Sequence, residues 1–117
     1  MAFKNISDVA AALRTFAAER DWDAFHTPKN LAAAMAVEAG EVLEHFQWLT
    51  DEQSRSLDAG KKEEVAMELA DVFLYLVRLS DRLGVDLLQA AERKMTINAK
   101  NYPADFTRGG IRKQPKA

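Results

Sequence analysis

Apolar residues at Ile6, Val9, Leu13 and Phe16 recur every three to four positions, which predicts a first helix over about Ser7 to Arg20. A connection over Asp21 to His26 follows. Thr27-Pro28 then reads as a hydroxyl cap with proline at the first helical position. Leu31, Met35, Val42, Phe46 and Leu49 mark the seam of a second helix that continues to about Leu49. The polar stretch from Thr50 to Gly60 reads as a loop. A third helix is expected over about Lys61 to Leu83, with Gly84 at the position that favours left-handed backbone. Asp86, with Gln89 three residues on, resembles a capping box and opens a fourth helix that ends near Tyr102, before Pro103.

Four helices joined by short connections predict an all-α fold of the four-helix-bundle type. The third helix adds a constraint. Leu69, Val72, Phe73, Leu74, Leu76, Val77 and Leu79 wrap most of its circumference, and a helix apolar on nearly every side is buried on several of them. A small bundle buries one stripe per helix, so the remaining face is expected to meet a second copy of the chain, giving a homo-oligomer, dimer or tetramer. Residues 1–103 are expected to form this domain and 104–117 a flexible basic tail. The tail carries Arg108, Arg112, Lys113 and Lys116 against Asp105 alone, which suits either a solvated terminus or a phosphate contact.

Composition narrows the class further. Ala and Leu outnumber Val, Ile and Thr about two to one, favouring helix over sheet. A chain of 117 residues with a formal net charge of -2 fits one domain and exerts no overall pull on a nucleic-acid polymer or an anionic membrane. The absence of cysteine removes disulfides, thiolate metal sites and cysteine nucleophiles. The longest apolar stretch, Leu69 to Leu79, is broken by Asp71 and Arg78 and is too short to span a bilayer. Met1 to Ile6 contains no apolar signal core, and a cytoplasmic location is expected.

Candidate chemistry comes from carboxylates at apolar positions. The seam of the second helix should be apolar at position 38, which is Glu38, with Glu41 one turn on. Glu68 and Asp71 repeat that spacing in the third helix, Asp71 standing inside the apolar run. Two carboxylates about 5 Å apart repel by roughly 3 kcal/mol at an effective dielectric of 20, so four converging acids call for protonation, basic partners or a bound cation. An all-oxygen set suits Mg²⁺, with Mn²⁺ as a substitute, better than zinc. Exposed amphipathic faces are the plainer account of any single acidic pair. Gly40, between Glu38 and Glu41, suggests close approach there or ordinary tight helix packing. His45 does not complete a Glu-x-x-His motif and reads as a surface or bundle-edge histidine.

Glu38-Ala39-Gly40-Glu41 and Glu68-Leu69-Ala70-Asp71 resemble the Glu-x-x-Glu … Glu-x-x-Asp signature of the MazG-like all-α nucleoside triphosphate pyrophosphohydrolases. The flanking segments look closer to the dCTP pyrophosphatase branch: Arg20-Asp21-Trp22 through His26, Pro28 to Leu31, Phe46-Gln47-Trp48, Lys94 to Asn98, and Tyr102-Pro103. The similarity covers about residues 6–103. It implies hydrolysis of a deoxynucleoside triphosphate, dCTP or a modified dCTP foremost, to the monophosphate and pyrophosphate in nucleotide-pool house-cleaning. It further implies Mg²⁺ held by Glu38, Glu41, Glu68 and Asp71, with Lys94, Asn98 and Tyr102 contacting substrate. Trp22, His26 and Trp48 look like the base pocket, with Tyr75 as a further candidate. Within the same fold dUTP or a noncanonical purine triphosphate is an alternative substrate. In another class, the chain is a non-catalytic helical interaction module.

Overall fold

A computed structural model describes residues 1–110, and these are all-helical. The helices are α1 (Ile6–Glu19), α2 (Pro28–Glu44), α3 (Asp51–Ser54), α4 (Ala59–Leu83), α5 (Leu87–Asn101) and α6 (Ala104–Thr107). Two compact units divide the chain, 1–84 and 85–117. The first contains α1 to α4, and the second contains α5 and α6. None of the described helices is long and apolar enough to cross a membrane.

Side-chain caps set most of the helix starts. Asn5 Oδ1 accepts from the Asp8 amide at 2.8 Å, and Thr27 Oγ1 from the Asn30 amide at 3.2 Å, with Pro28 in the first turn. Asp58 and Asp86 cap α4 and α5 by accepting from the amides of Lys61 and Gln89 at 2.7 and 3.0 Å. These bonds satisfy amides that the first helical turn leaves without partners. Gly84 ends α4 with φ of 68°, in the left-handed region that its lack of a Cβ makes accessible.

Three local expectations change. The second helix stops at Glu44, not Leu49, because the Phe46 amide bonds three residues back to Leu43 at 2.9 Å and the chain tightens into turns. The expected loop from 50 to 60 contains α3, nucleated by a reciprocal capping box between Thr50 and Gln53. Residues 104–107, expected in the basic tail, form the single turn α6. The tail residues beyond 110 lie outside the described residues.

Within the first unit α4 is the common partner, packing against both α2 and α1. Val9 and Ala10 of α1 meet Val77 of α4 in a buried cluster, flanked by Ile6, Leu13 and Leu74. Leu31 of α2 and Val65 of α4 are buried as well. The fully wrapped apolar helix inferred from the pattern is only partly covered: Leu69 and Phe73 remain 53% and 41% exposed. A Cβ at Gly40 would meet open space, so close packing within the chain does not account for that glycine.

Leu31, only 1% exposed, anchors α2 to the unit. Replacing it with Ala is expected to lower the unfolding free energy by about 2–5 kcal/mol, as a lost core side chain does. Leu43→Ala, at an exposed site, is expected to change it by less than about 0.5 kcal/mol. Chemical denaturation of the two variants beside the unsubstituted chain checks the contrast.

Candidate active site

The packing of α2 on α4 brings together the acids that each helix carries on one stripe. One carboxylate oxygen from each of Glu38, Glu41 and Glu68 lies within 4.8 Å of the other two. All three residues are half-buried. Glu38 Oε2 and Glu68 Oε2 are shut off from solvent and have no hydrogen-bond partner among the described residues. Buried polar atoms are ordinarily satisfied, so two unpartnered carboxylate oxygens in one cluster are donors suited to a cation.

The electrostatics agree. Glu38 is pushed up to about 7, first by a hydrogen bond with Glu41, then by burial, then by the charges of Glu41, Asp71 and Glu68. Glu68 is also raised, by its hydrogen bond with Glu41, by burial, and by the charges of Glu41 and Asp71, with His45 acting in the opposite direction. Without a cation, protons are the cheapest relief of the crowded charge. An all-oxygen set with two unsatisfied buried atoms fits a hard divalent cation such as Mg²⁺ or Mn²⁺.

Asp71 stands outside this trio but close enough for its charge to reach both Glu38 and Glu68. It is exposed and lines a neighbouring cavity of about 210 Å³. Phe16, Trp22 and Tyr75 supply the aromatic wall of that cavity, Leu13 and Leu74 its apolar base, and His26 and Arg78 its remaining polar edge. Trp22 meets Phe16 edge-on at 5.7 Å between ring centroids and lies tilted against His26 at 5.8 Å. Asp21, with φ of 54°, takes the left-handed turn that swings Trp22 back toward α1.

The structure thus unites three of the four expected acids, sets Asp71 at the edge of the neighbouring cavity, and brings Trp22, His26 and Tyr75 to that cavity. Trp48 does not line that cavity and is 86% exposed, because α2 has already ended before it. Lys94 and Asn98 lie on α5 and Tyr102 caps its end, all in the second unit, where Lys94 borders a shallow groove with Ala90, Arg93 and Ile97.

Two residues were missed from sequence. His45, read as a bundle-edge histidine, has Nδ1 3.2 Å from Lys61 Nζ and Nε2 3.8 Å from Glu68 Oε1. Its spacing from Glu38 and Glu41, seven and four residues, places all three on one stripe and was the available signal. Arg78, inside the apolar run, is 4% exposed and bonds to the connection between α1 and α2. Nothing in local periodicity reveals a partner so distant along the chain.

The unit of α1 to α4 thus sets a carboxylate trio beside a cavity with aromatic lining. Residues 33–111 match the MazG-like family, and the chain belongs to that family. It is 44% identical over 110 residues to dCTP pyrophosphatase 1 of Homo sapiens, spanning 92% of this chain and 65% of that protein. The Mus musculus protein of the same name is 43% identical, over 89% of this chain and 62% of its own length. The chain therefore spans just under two thirds of these curated relatives. A solved pyrophosphatase from Archaeoglobus fulgidus superposes with a TM-score of 0.80 at 36% identity, covering 88% of this chain and 96% of that one.

The raised Glu38 carboxyl gives stability a defined pH dependence. Between its ordinary value of 4.5 and about 7 the folded chain binds more protons than the unfolded one. This contribution is fully present below the lower value and is lost as pH rises through the higher. Stability of the metal-free chain is therefore expected to fall as pH rises across that window. Millimolar Mg²⁺ should restore it most at the alkaline end, and Glu38→Gln should flatten the slope. Urea titrations in chelator and in Mg²⁺ check this, and a stability that rises through the window would contradict it.

Proposed function

We propose that the chain is a Mg²⁺-dependent nucleoside triphosphate pyrophosphohydrolase, acting on dCTP or a modified dCTP in nucleotide-pool house-cleaning. The observation that carries this reading is the pair of orphaned carboxylate oxygens in the Glu38, Glu41, Glu68 cluster, joined through Asp71 to an aromatic cavity. The name of the curated relatives, dCTP pyrophosphatase 1, supports the choice of base.

In the reaction a water oxygen bonds to the α-phosphorus while the water gives up a proton to one of the site carboxylates and thence to solvent, the bond from that phosphorus to the bridging oxygen breaks, and pyrophosphate leaves with the electron pair. When bound by Glu38, Glu41, Glu68 and Asp71, the divalent cation supplies charge neutralisation for the phosphate oxygens and acidity to water. Trp22 and Tyr75 offer ring faces and edges to the base, and His26 offers a polar contact. Lys94 is assigned to phosphate as a point charge, with Asn98 and Tyr102 as hydrogen-bonding partners of substrate. Trp48 is retained as a base contact, one that its exposure makes available to substrate or to a neighbouring copy.

The exposed Met67, Leu69 and Phe73 of α4 support assembly with a second copy of the chain. The catalytic domain is assigned to 1–103 with a basic tail after it, and the site of action to the cytoplasm. Net charge supports neither a nucleic-acid polymer nor a membrane as partner.

A panel of dNTPs and NTPs with Mg²⁺, assayed separately for pyrophosphate and orthophosphate, tests the proposal. Pyrophosphate with dCTP as the best substrate is expected, whereas orthophosphate as the sole product overturns the reaction class. A preference for dUTP or a purine triphosphate overturns the base assignment alone. Glu38→Ala and Asp71→Asn are each expected to lower kcat/KM more than about 100-fold, beyond the loss typical of a group one step removed from a metal. Helical circular dichroism should survive in both.

A further inference from the structure

Arg78 is an unusual residue for the middle of an apolar run. At 4% exposure its charge is almost wholly withdrawn from water, so it requires compensating partners. Its Nη2 donates to Asp23 Oδ1 at 2.9 Å, its Nε donates to His26 Nδ1 at 3.1 Å, and Asp81 Oδ2 lies 3.9 Å from Nη1. One turn on, Arg82 donates to the backbone carbonyls of His26 and Asp23 at 3.1 and 3.2 Å. Two guanidiniums of α4 therefore hold the connection that carries Trp22 and His26, and Arg78 and His26 both line the aromatic cavity.

We propose that Arg78 is a positioning residue for His26, fixing its imidazole as the Nε2–H tautomer so that the ring offers the cavity a hydrogen-bond donor and no acceptor. The chemistry is one-sided because a guanidinium has five N–H donors and nothing that accepts. Nδ1 must therefore keep its lone pair to receive the Arg78 Nε–H, and the ring proton resides on Nε2. Among the described residues Nε2 has no partner of its own. The charged groups around the ring are Arg78 and Arg82 from α4, Asp23 from the connection and Asp71 across the cavity. Burial and the two guanidiniums hold His26 below its ordinary 6.5, against the pull of Asp23, so the neutral ring is the resting form.

The inference rests on the reading above that this cavity receives a base. It specifies what that base must present toward His26: a carbonyl oxygen or an unprotonated ring nitrogen, as on the O2–N3 edge of cytosine. A base presenting a ring N–H or an amino group there leaves the histidine donor facing another donor. That mismatch is the kind a polar pocket rejects strongly.

Long-range ¹H–¹⁵N correlation spectra of the full chain report the tautomer directly, with the His26 signals identified by their loss in His26→Leu. A single Nε2–H form at neutral pH is expected, replaced in Arg78→Gln by a mixture of tautomers. A resting Nδ1–H form, or an unchanged tautomer in Arg78→Gln, overturns the proposal. In kinetics, Arg78→Gln is expected to raise KM about tenfold, the worth of one hydrogen bond, with kcat held within about threefold. Added to His26→Leu, the same change should raise KM no further, since Arg78 acts through that ring. Additive effects, or a matched loss in kcat, would make Arg78 a structural residue only.

Arg78→Lys keeps a buried cation but cannot span both partners, and serves where Arg78→Gln does not fold. It too is expected to mix the tautomers, and a retained single form in it counts against the assignment. If the unsubstituted chain hydrolyses no nucleotide, the functional reading falls while the spectra still decide the Arg78–His26 pairing.

Discussion

Packing α2 against α4 forces three carboxylates to share one partly buried site, and much of the molecule is arranged around that repulsion. The apolar contacts of Leu31 and Val65 favour bringing the helices together, while Glu38, Glu41 and Glu68 oppose it. The conflict is resolved in part by protons and in part by the surroundings. Lys61 sits 3.5 Å from Glu64, and His45 lies between Lys61 and Glu68. None of these neighbours reaches the buried oxygens of Glu38 and Glu68, which leaves the cluster electrically unfinished. Local disagreement between pattern and fold of this kind is characteristic of functional sites.

Between the Lys61-Lys62 pair at its start and Asp81 near its end, α4 carries acids first and arginines after them. Glu64, Glu68 and Asp71 occupy its earlier turns, and Arg78 and Arg82 its later ones. Asp71 and Arg78, seven residues or about 10 Å apart along the axis, border the same cavity. The cavity therefore runs from an acidic end, suited to a cation and through it to phosphate, toward an end whose cations are already committed to Asp23 and to backbone carbonyls. That polarity accords with the proposed function, in which the phosphates of a nucleotide lie toward Asp71 and its base toward His26.

How much of this was legible in the sequence depended on the range of the interaction. Thr27-Pro28, Gly84 and Asp86 were readable as helix ends because a cap acts within three or four residues. The capping box of Thr50 and Gln53 was equally local, but a polar segment masked it. Glu38 and Asp71 stood out because each occupies a position where the pattern demanded an apolar residue, and Glu41 and Glu68 stood out through their three-residue spacing from them. Arg78 was visible as an anomaly, yet its partners lie 52 and 55 residues away, beyond any pattern along one helix. Trp48 came from the resemblance of its segment alone, and the tightening after Glu44 leaves it exposed and outside the cavity that Trp22 and His26 line.

The grip of Arg82 on the connection between α1 and α2 falls on carbonyl oxygens, which every residue possesses. Ala24 and Phe25, between the two gripped positions, are both exposed, and Phe25 is 68% so. The path of the chain past the cavity is thus insured against changes in those side chains. Descendants of this sequence have room to vary the rim of the pocket, and with it the ligand, while inheriting the same backbone course and the same acids.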